Sequence, residues 1–309
     1  MSKSRRQESA RLMATDVSSA VAQTGALRVG DPYSKLRLFW NSSWTAVCVG
    51  LSFLTLVPLF SIVYLVVEKG MPLLKPDVFA QLPPAPGLTG GGFGNAVQGT
   101  AIMVFIGLLI SAPLGILSAI YINEYNPKSR LAAAVRFVAK LLTGIPSIIC
   151  GVFAFSVVVL STGTASALAG GTALAVLALP TILLTTEQAL LGVPKSLREA
   201  SYGLGATKFQ TVIRVVLPNA LPAIMTGIML ATARAAGETA PVLFTAAFNQ
   251  YWLKTLMEPA GSLAVLIYNF STLPYSYQVQ MAWTASLVLL AIVTVTNVTA
   301  QLVFSRGRR

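Results

Sequence analysis

The chain has 309 residues, of which 55% are hydrophobic and 10% are charged, whereas soluble domains carry about 25% charged residues. This composition excludes an ordinary soluble globular protein, because long uncharged runs account for it. The sequence contains no histidine and no G-x-x-x-x-G-K-[ST] loop, which removes the commonest general base and metal ligand and the usual means of hydrolysing a nucleotide. We therefore expect this chain to have no enzymatic centre, metal or cofactor of its own.

The first 40 residues are predicted to form a cytoplasmic and largely disordered tail, because residues from Met1 to about Gly30 are polar and show no strong period. The first apolar run begins near Thr45, too far from the start for a signal peptide, so we expect the tail to be retained. Its Lys and Arg residues favour the cytoplasmic side of the membrane. The remainder, 41–309, is predicted to be a transmembrane domain.

The apolar runs predict an all-α polytopic membrane protein with six transmembrane helices, since about 20 apolar helical residues cross a hydrocarbon layer. The predicted spans cover about Thr45–Val67, Val97–Ile122, Phe137–Leu160, Ala165–Leu184, Ala220–Phe248 and Met281–Phe304. The cluster Ser161–Thr164 supplies the turn that separates the third and fourth spans. Gly144, Pro146 and Ser147 are compatible both with a kink in the third span that opens a passage and with packing against a neighbouring helix. The small residues of Ala165–Ala175 favour close approach to another helix.

Two segments between the spans are predicted to lie outside the membrane on its outer side. One is Glu68–Asn95, which is marked by proline and glycine, and the other is Asn249–Gln280, whose aromatic residues suit a membrane interface. Within the latter, Gly261–Phe270 is apolar but too short to span, so we expect an interfacial or re-entrant piece. Two basic connections, Asn123–Lys140 and Glu187–Asn219, are predicted on the inner side.

The basic residues are distributed unevenly over these segments. Three of the 22 Lys and Arg residues, Lys69, Lys75 and Lys254, fall in predicted external segments, and all others except Arg234 fall in internal ones. Because internal loops of membrane proteins are enriched in Lys and Arg, this distribution predicts six spans with both termini in the cytoplasm. The same bias explains the net charge of +12. Nucleic-acid binding is not expected, because no basic stripe interleaved with aromatic residues is present.

The internal segment Glu187–Asn219 is too polar to lie in lipid. Gly205 is a poor helix residue and Pro218 disrupts a helix interior, so we expect two short helices with a bend near Gly205. Four apolar residues recur at three- and four-residue steps and predict one apolar stripe: Phe209, Val212, Ile213 and Val216. The pattern is compatible both with an amphipathic connector on the membrane surface and with a docking element for a partner protein.

The string E-A-S-x3-G-x9-V-x-L-P resembles the signature of ABC-importer permeases, E-A-A-x3-G-x9-I-x-L-P. The matching residues are Glu199, Ala200, Gly205, Leu217 and Pro218, while Ser201 and Val215 are mild departures. The resemblance implies a type I ABC importer permease architecture, with a cytoplasmic coupling loop at about 187–219 that fits a groove on an ATPase subunit. A bent lever continuous with a transmembrane helix would convert closure of the ATPase into rearrangement of the pore.

Arg234 and Glu238 are the candidate residues of the substrate pathway. Both fall in the predicted fifth span, and an arginine at a helix centre costs about 2.5–3.5 kcal/mol on insertion scales. Glu238 follows Arg234 by four residues and is expected on the same helix face. The pair is either a structural tie within the bundle or a site for an anionic substrate, to which a guanidinium offers paired planar donors.

The string Ala233–Ala246 and the run Gly144–Ile148 resemble the membrane subunit of bacterial phosphate uptake, of the PstA type. Together with the loop, the resemblance covers about Leu36–Phe304. It implies inorganic phosphate as the transported solute and the lipid of the bacterial cytoplasmic (inner) membrane as the surroundings. It also implies three partners, which are a paralogous PstC-like second permease, an ABC ATPase in two copies that bind the ATP, and an extracytoplasmic phosphate-binding protein.

Two alternatives to phosphate import stay open at this point. The first keeps the family and changes the solute to molybdate, sulfate or an organic compound. The second is a membrane signalling scaffold that reports the occupancy of a binding protein without moving solute, since its loop would still dock a partner. An integral-membrane enzyme is disfavoured, because the sequence contains no paired catalytic carboxylates and Glu238 has a cationic neighbour instead.

Overall fold

The computed structural model describes residues 32–305, which contain helices and loops but no strand. The helices are α1 (Pro32–Gly70), α2 (Gly94–Ile120), α3 (Arg130–Gly144), α4 (Ser147–Thr162), α5 (Ala167–Leu191), α6 (Lys195–Gly203), α7 (Lys208–Ala236), α8 (Ala240–Thr245), α9 (Leu263–Ser271) and α10 (Ser276–Ser305). The predicted disordered tail up to about Gly30 lies outside the described residues. Residues 32–40, which were predicted to belong to that tail, form the start of α1.

The chain divides into two compact units, Met1–Val63 and Tyr64–Arg309. The described part of the first unit is the larger part of α1, an apolar helix that contains Pro58. The second unit contains the last turns of α1 and all the other helices described. The predicted first span, Thr45–Val67, lies within α1.

Several helices of the described chain are suited to a membrane. α1, α2, α5, α7 and α10 are each long and apolar enough to cross one, and the bent pair of α3 and α4 makes a sixth span if the two are counted together. These helices confirm the predicted all-α polytopic membrane fold. The predicted count of six spans is reached when α3 and α4 are taken as one.

The third predicted span is not one straight helix. α3 begins at Arg130, inside the segment predicted as a connection, and α3 and α4 meet at an angle of 109°. The break falls at Ile145 and Pro146, whose backbones are extended (ψ 135° and 134°). A proline lacks the N–H that would continue the helix and restricts the residue before it to extended angles. The predicted kink and the predicted turn after α4 are both confirmed, since α4 ends at Thr162.

The fifth predicted span, Ala220–Phe248, begins within α7 but is wrong at its end. α7 begins at Lys208 and ends at Ala236, and α8 begins only at Ala240. Gly237 is a poor helix residue, and a proline at position 241 is favourable only in a first helical turn. The apolar composition of Thr239–Phe248 hid this break, because hydropathy does not distinguish one helix from two.

α5 lies at the centre of the second unit, where α2, α3, α4, α7 and α8 pack against it. Small residues permit this packing. A Cβ atom added to Gly171 would lie 2.6 Å from the side chain of Ile106, and one added to Gly227 would lie 2.2 Å from Oγ1 of Thr185. Backbones approach closely where side chains are small, so the expectation for Ala165–Ala175 is confirmed.

The predicted short segment Gly261–Phe270 contains a separate helix, α9. One side of it is buried, and Leu263, Leu266 and Phe270 share a cluster with Phe93 and Met281. α9 is therefore fixed by packing against the starts of α2 and α10. At nine residues it is too short to span a bilayer, as predicted.

Candidate functional site

The polar loop predicted at Glu187–Asn219 is an ordered structure. Residues 192–211, which we call the bent segment, contain α6 and the first turn of α7 with a sharp turn between them. Gly205 lies in this turn at φ +80°, and among the described residues no atom lies within 4 Å of a Cβ added there. The backbone angle rather than the space therefore requires glycine, and the predicted bend near Gly205 is confirmed.

Side chains fix the two arms of the bent segment to each other. Ser201 Oγ and Thr211 Oγ1 are 2.9 Å apart and both residues are buried. Thr207 caps α7 by accepting from the backbone N–H of Gln210, while the side chain of Gln210 accepts from the backbone N–H of Thr207. Ser201 is one of the two departures from the permease signature. Its hydroxyl forms a link between α6 and α7 that alanine would lack.

The predicted apolar stripe of four residues is only partly covered by the rest of the described chain. Its members recur at i, i+3, i+4 and i+7, which places them within about 100° of the helix circumference. Val212 and Val216 are buried, whereas Phe209 and Ile213 are exposed. Leu204, at the tip of the bend, is 90% exposed. Exposed apolar residues grouped in this way are typical of an interaction surface.

Glu199 and Ala200, the first two signature residues, lie on the exposed side of α6. Leu217 and Pro218 lie within α7, directly after a π turn at Val212–Val216. A proline in a helix displaces the carbonyl four residues before it, and the wider π turn accommodates this displacement. The carbonyl four residues before Pro218 is that of Arg214, and the next carbonyl, of Val215, accepts from Asn219 Nδ2 at 2.7 Å.

Arg198, which directly precedes the signature Glu199, is held by three acceptors. Its Nη2 donates to Oε1 of Glu124 at 2.7 Å and to the carbonyl of Leu190 at 2.8 Å, and its Nη1 donates to the carbonyl of Val193 at 2.7 Å. The side chains of Arg198 and Glu124 are only 16% and 7% exposed. These bonds join α6 to the end of α5 and to the turn that follows α2.

That turn, the π turn Tyr121–Tyr125, also contacts the other arm of the bent segment. Lys208 Nζ donates to the carbonyl of Tyr125 at 3.4 Å and lies 5.3 Å from the centre of the Tyr125 ring. Asn123 Nδ2 donates to Oε1 of Glu124 at 2.9 Å. Both arms of the bent segment therefore contact one five-residue turn.

A second buried carboxylate, Glu187 of α5, pairs with Arg136 of α3. Arg136 also donates to the carbonyls of Ile122 at 2.8 Å and Pro127 at 3.1 Å. None of these contacts involves the bent segment. Sequence analysis assigned these residues to connections without pairing them. A usable signal was that Glu124 and Glu187 are acidic residues at the ends of apolar runs, on a side where basic residues dominate.

Arg234 and Glu238 do contact each other, but not in the predicted setting. Arg234 lies in the last turn of α7, where its charge is favourable near the helix carbonyls, and Glu238 lies beyond the helix end at Ala236. The distance from Arg234 Nε to Glu238 Oε1 is 3.4 Å, and the side chains are 47% and 17% exposed. The predicted position at a helix centre, with both residues on one helix face, is wrong because α7 ends before Glu238.

An exposed face of α7 leads from the bent segment to Arg234. Its residues are spaced by three or four positions and are Asn219, Ala223, Thr226, Leu230 and Arg234. Next to this face, between α5 and α7, lies a cleft of about 660 Å³ whose polar lining includes Thr185 and Gln188. Arg234 lies one helical turn beyond Leu230, the last α7 residue of the cleft.

The loop between α8 and α9 is tied to the rest of the second unit. Asn95 Nδ2 donates to the carbonyl of Asn249 at 2.8 Å, and the backbone N–H of Ala167 donates to the carbonyl of Glu258 at 3.0 Å. The backbone N–H groups of Thr255 and Lys254 donate to the Glu258 carboxylate and hold its pKa below the ordinary value. This loop is therefore a fixed surface beside the start of α5.

An all-α bundle with several membrane-spanning helices, one of them continuous with a bent polar segment, defines a multi-pass membrane protein of the ABC-importer permease class. A family profile described as "Binding-protein-dependent transport system inner membrane component" matches residues 111–309. The chain belongs to this family.

Similar proteins include the phosphate transport system permease protein PstA of Yersinia pestis, which is 36% identical over 273 residues that cover 87% of this chain and 92% of that protein. PstA of Haemophilus influenzae is 37% identical over 277 residues, covering 88% and 98%. The predicted resemblance to ABC-importer permeases of the PstA type is confirmed. These relatives are named as permease proteins, in agreement with the expectation that the chain is not itself an enzyme.

Two solved structures have a similar fold. A chain of a bacterial ABC transporter involved in alginate import has a TM-score of 0.63 at 17% identity, covering 90% of this chain and 99% of that chain. A chain of the MetNI methionine ABC transporter in an inward-facing conformation has a TM-score of 0.57 at 24% identity, covering 70% and 94%. These likenesses concern the fold alone, and they confirm the predicted importer-permease architecture.

Proposed function

We propose that this chain is the permease subunit of an ATP-driven importer of inorganic phosphate, and that it forms the translocation pathway with a second permease. The cargo follows from the relatives named as phosphate transport permeases, whose identity of 36–37% extends over most of the chain. Arg234 supports an anionic cargo, because a guanidinium binds phosphate oxygens with paired planar donors.

The observation that carries the proposal is the continuity of α7. This helix of 29 residues begins in the bent segment and ends two residues after Arg234, and it is roughly 40 Å long. A force applied to the bent segment therefore reaches the guanidinium along one continuous helix. ATP hydrolysis in a partner subunit would move Arg234 in this way without any nucleotide site in this chain.

The exposed face of α7 and the adjacent cleft form this chain's side of the pathway, and the second permease closes the other side. Phosphate meets Arg234 at the end of α7 that is remote from the bent segment. The Glu238 carboxylate orients the Arg234 guanidinium by accepting from its Nε–H group. It also lowers the affinity of Arg234 for phosphate, because both anions are attracted to the same guanidinium charge. A weakened hold matters for transport, because an anion bound too tightly would not leave the site.

The resemblance to phosphate permeases implies three partners, for which this chain offers separate surfaces. The apolar tip at Leu204 and Phe209, with Glu199 and Ala200 beside it, docks on one of two ABC ATPase copies that bind the ATP. The second permease is a paralogous PstC-like subunit, and an extracytoplasmic phosphate-binding protein delivers the ion to the outer face. The bent segment and both termini then lie in the cytoplasm, and the helices span the cytoplasmic (inner) membrane of a bacterium.

The proposal is tested by reconstituting the complete complex in lipid vesicles with the binding protein. We expect uptake of radiolabelled phosphate that requires ATP and is inhibited by unlabelled phosphate. Inhibition by molybdate or sulfate but not by phosphate would assign a different cargo. ATP hydrolysis that responds to the binding protein, without any solute uptake, would instead support the signalling scaffold.

A further inference from the structure

We infer that Glu124 and Arg198 are positioning residues that transmit the movement of the bent segment to α2 and α5, in addition to its direct connection to α7. The inference rests on the proposed function, because it assigns a second route for the same movement. It concerns residues outside the permease signature, and one of them lies far from that signature along the chain.

The contacts of Arg198 carry the first step. Its guanidinium bridges three elements at once, since it lies on α6 and donates to Glu124 after α2 and to the carbonyls of Leu190 and Val193 at the end of α5. Any displacement of α6 must therefore either move the ends of α2 and α5 or break several charge-assisted hydrogen bonds. Such bonds are roughly twice as strong as bonds between neutral groups.

The burial of the pair carries the second step. With exposures of 16% and 7%, the two side chains have lost most of their contact with water. A buried charge that loses its partner is strongly unfavourable, so the contact persists through a movement of the bent segment. An exposed ion pair would separate at little cost and would transmit little force.

The other arm of the bent segment carries the third step. Lys208, at the start of α7, contacts both the carbonyl and the ring of Tyr125. Ser201 of α6 and Thr211 of α7 connect the two arms of the bent segment through their hydroxyl groups. The π turn Tyr121–Tyr125 is thus held from both sides of the bend. Because π turns are local departures from the regular helix and often occur at functional sites, this turn is where α2 receives the movement.

The experiment compares two buried ion pairs of the same chemistry in the complete reconstituted complex. The test variants are Glu124→Gln, Arg198→Gln and the double variant, which remove the charges with little change of shape. The matched control is Glu187→Gln, because Glu187 joins α5 to α3 through Arg136 without contacting the bent segment. Arg136 is left unchanged, since it also donates to the carbonyl of Ile122 in the π turn. The measured quantity is the amount of phosphate transported per ATP hydrolysed, determined on complexes of equal subunit content.

We expect the Glu124 and Arg198 variants to lower this ratio by about fivefold or more, the usual lower bound for coupling between sites, with ATP hydrolysis retained. The control variant Glu187→Gln should keep the ratio of the unaltered complex, even if it reduces the yield of assembled complex. A purely structural role of Glu124 and Arg198 would reduce the yield and leave the ratio unchanged, which would overturn the inference. An equal loss of the ratio in Glu187→Gln would overturn it as well. Failure of the proposed function is distinguishable, since the unaltered complex would then not transport phosphate.

Discussion

Gly203 and Gly205 differ in one physical respect. In residues 32–305, no atom lies within 4 Å of a Cβ added to either glycine, but of the two only Gly205 has a positive φ. A left-handed conformation costs an L-residue about 1–2 kcal/mol, so Gly205→Ala should destabilise the bend by that amount and lower the phosphate transported per ATP. Gly203→Ala should do neither, because it lies in the last turn of α6. Thermal unfolding and vesicle uptake measure both effects, and identical behaviour of the two variants would contradict the role of the angle.

Arg234 allows function and stability to be separated. Its side chain is about half exposed and its contact with Glu238 is long, so Arg234→Gln should change the free energy of unfolding by at most about 1 kcal/mol. We expect the same variant to abolish phosphate uptake while the complex still assembles. Arg234→Lys should give intermediate uptake, because lysine keeps the charge but loses the paired planar donors. Normal phosphate uptake by Arg234→Gln would show that Arg234 and Glu238 have only a structural role.

At the scale of elements, the contact between α5 and α7 sets the width of the cleft. A Cβ on Gly227 would lie 2.2 Å from Oγ1 and 2.7 Å from Cβ of Thr185, so the helices must separate to accept it. Overpacking of this kind costs about 1–3 kcal/mol, and we expect Gly227→Ala to lower the unfolding temperature and the uptake rate.

Two further variants test this contact: Thr185→Gly as the compensating change and Gly237→Ala as a control outside the contact. Combining Thr185→Gly with Gly227→Ala should restore part of the stability, because it removes the atoms that collide. Gly237→Ala should be nearly neutral, since the nearest atom to its added Cβ is 3.8 Å away. Additive effects of Gly227→Ala and Thr185→Gly would show that the two residues do not share this contact.

The features that were predictable from the sequence are those that depend on residues close together along the chain. Long apolar runs, the turn near Gly163 and the bend at Gly205 depend on neighbouring residues, and all were predictable. The break after Ala236 was missed because Gly237 and Pro241 lie within an apolar string, and with it the position of Arg234 was misjudged. The pairing of Glu124 with Arg198 was not predictable, since 74 residues separate them and only the packing of α2 beside α5 brings them together.

At the scale of the whole molecule, three surfaces are exposed in the part of the chain that the structure describes. They are the tip of the bent segment, the face of α7 that leads to Arg234 and the fixed loop between α8 and α9. The proposed importer requires such surfaces, because the ATPase, the solute and the binding protein would each contact this chain from a different direction. The arrangement works only if the bent segment and the loop after α8 lie on opposite sides of the membrane.

That requirement gives a prediction about orientation. Leu204 and Tyr251 are both exposed, at the tip of the bent segment and in the loop after α8. In a variant whose Cys48 and Cys150 are replaced by serine and alanine, Tyr251→Cys should react with a membrane-impermeant thiol reagent in intact cells, provided the outer layers of the cell are open to the reagent. Leu204→Cys should react only after the cytoplasmic membrane is permeabilised. The opposite pattern would place the bent segment outside the cell, out of reach of any ATPase, and would exclude the proposed coupling through α7.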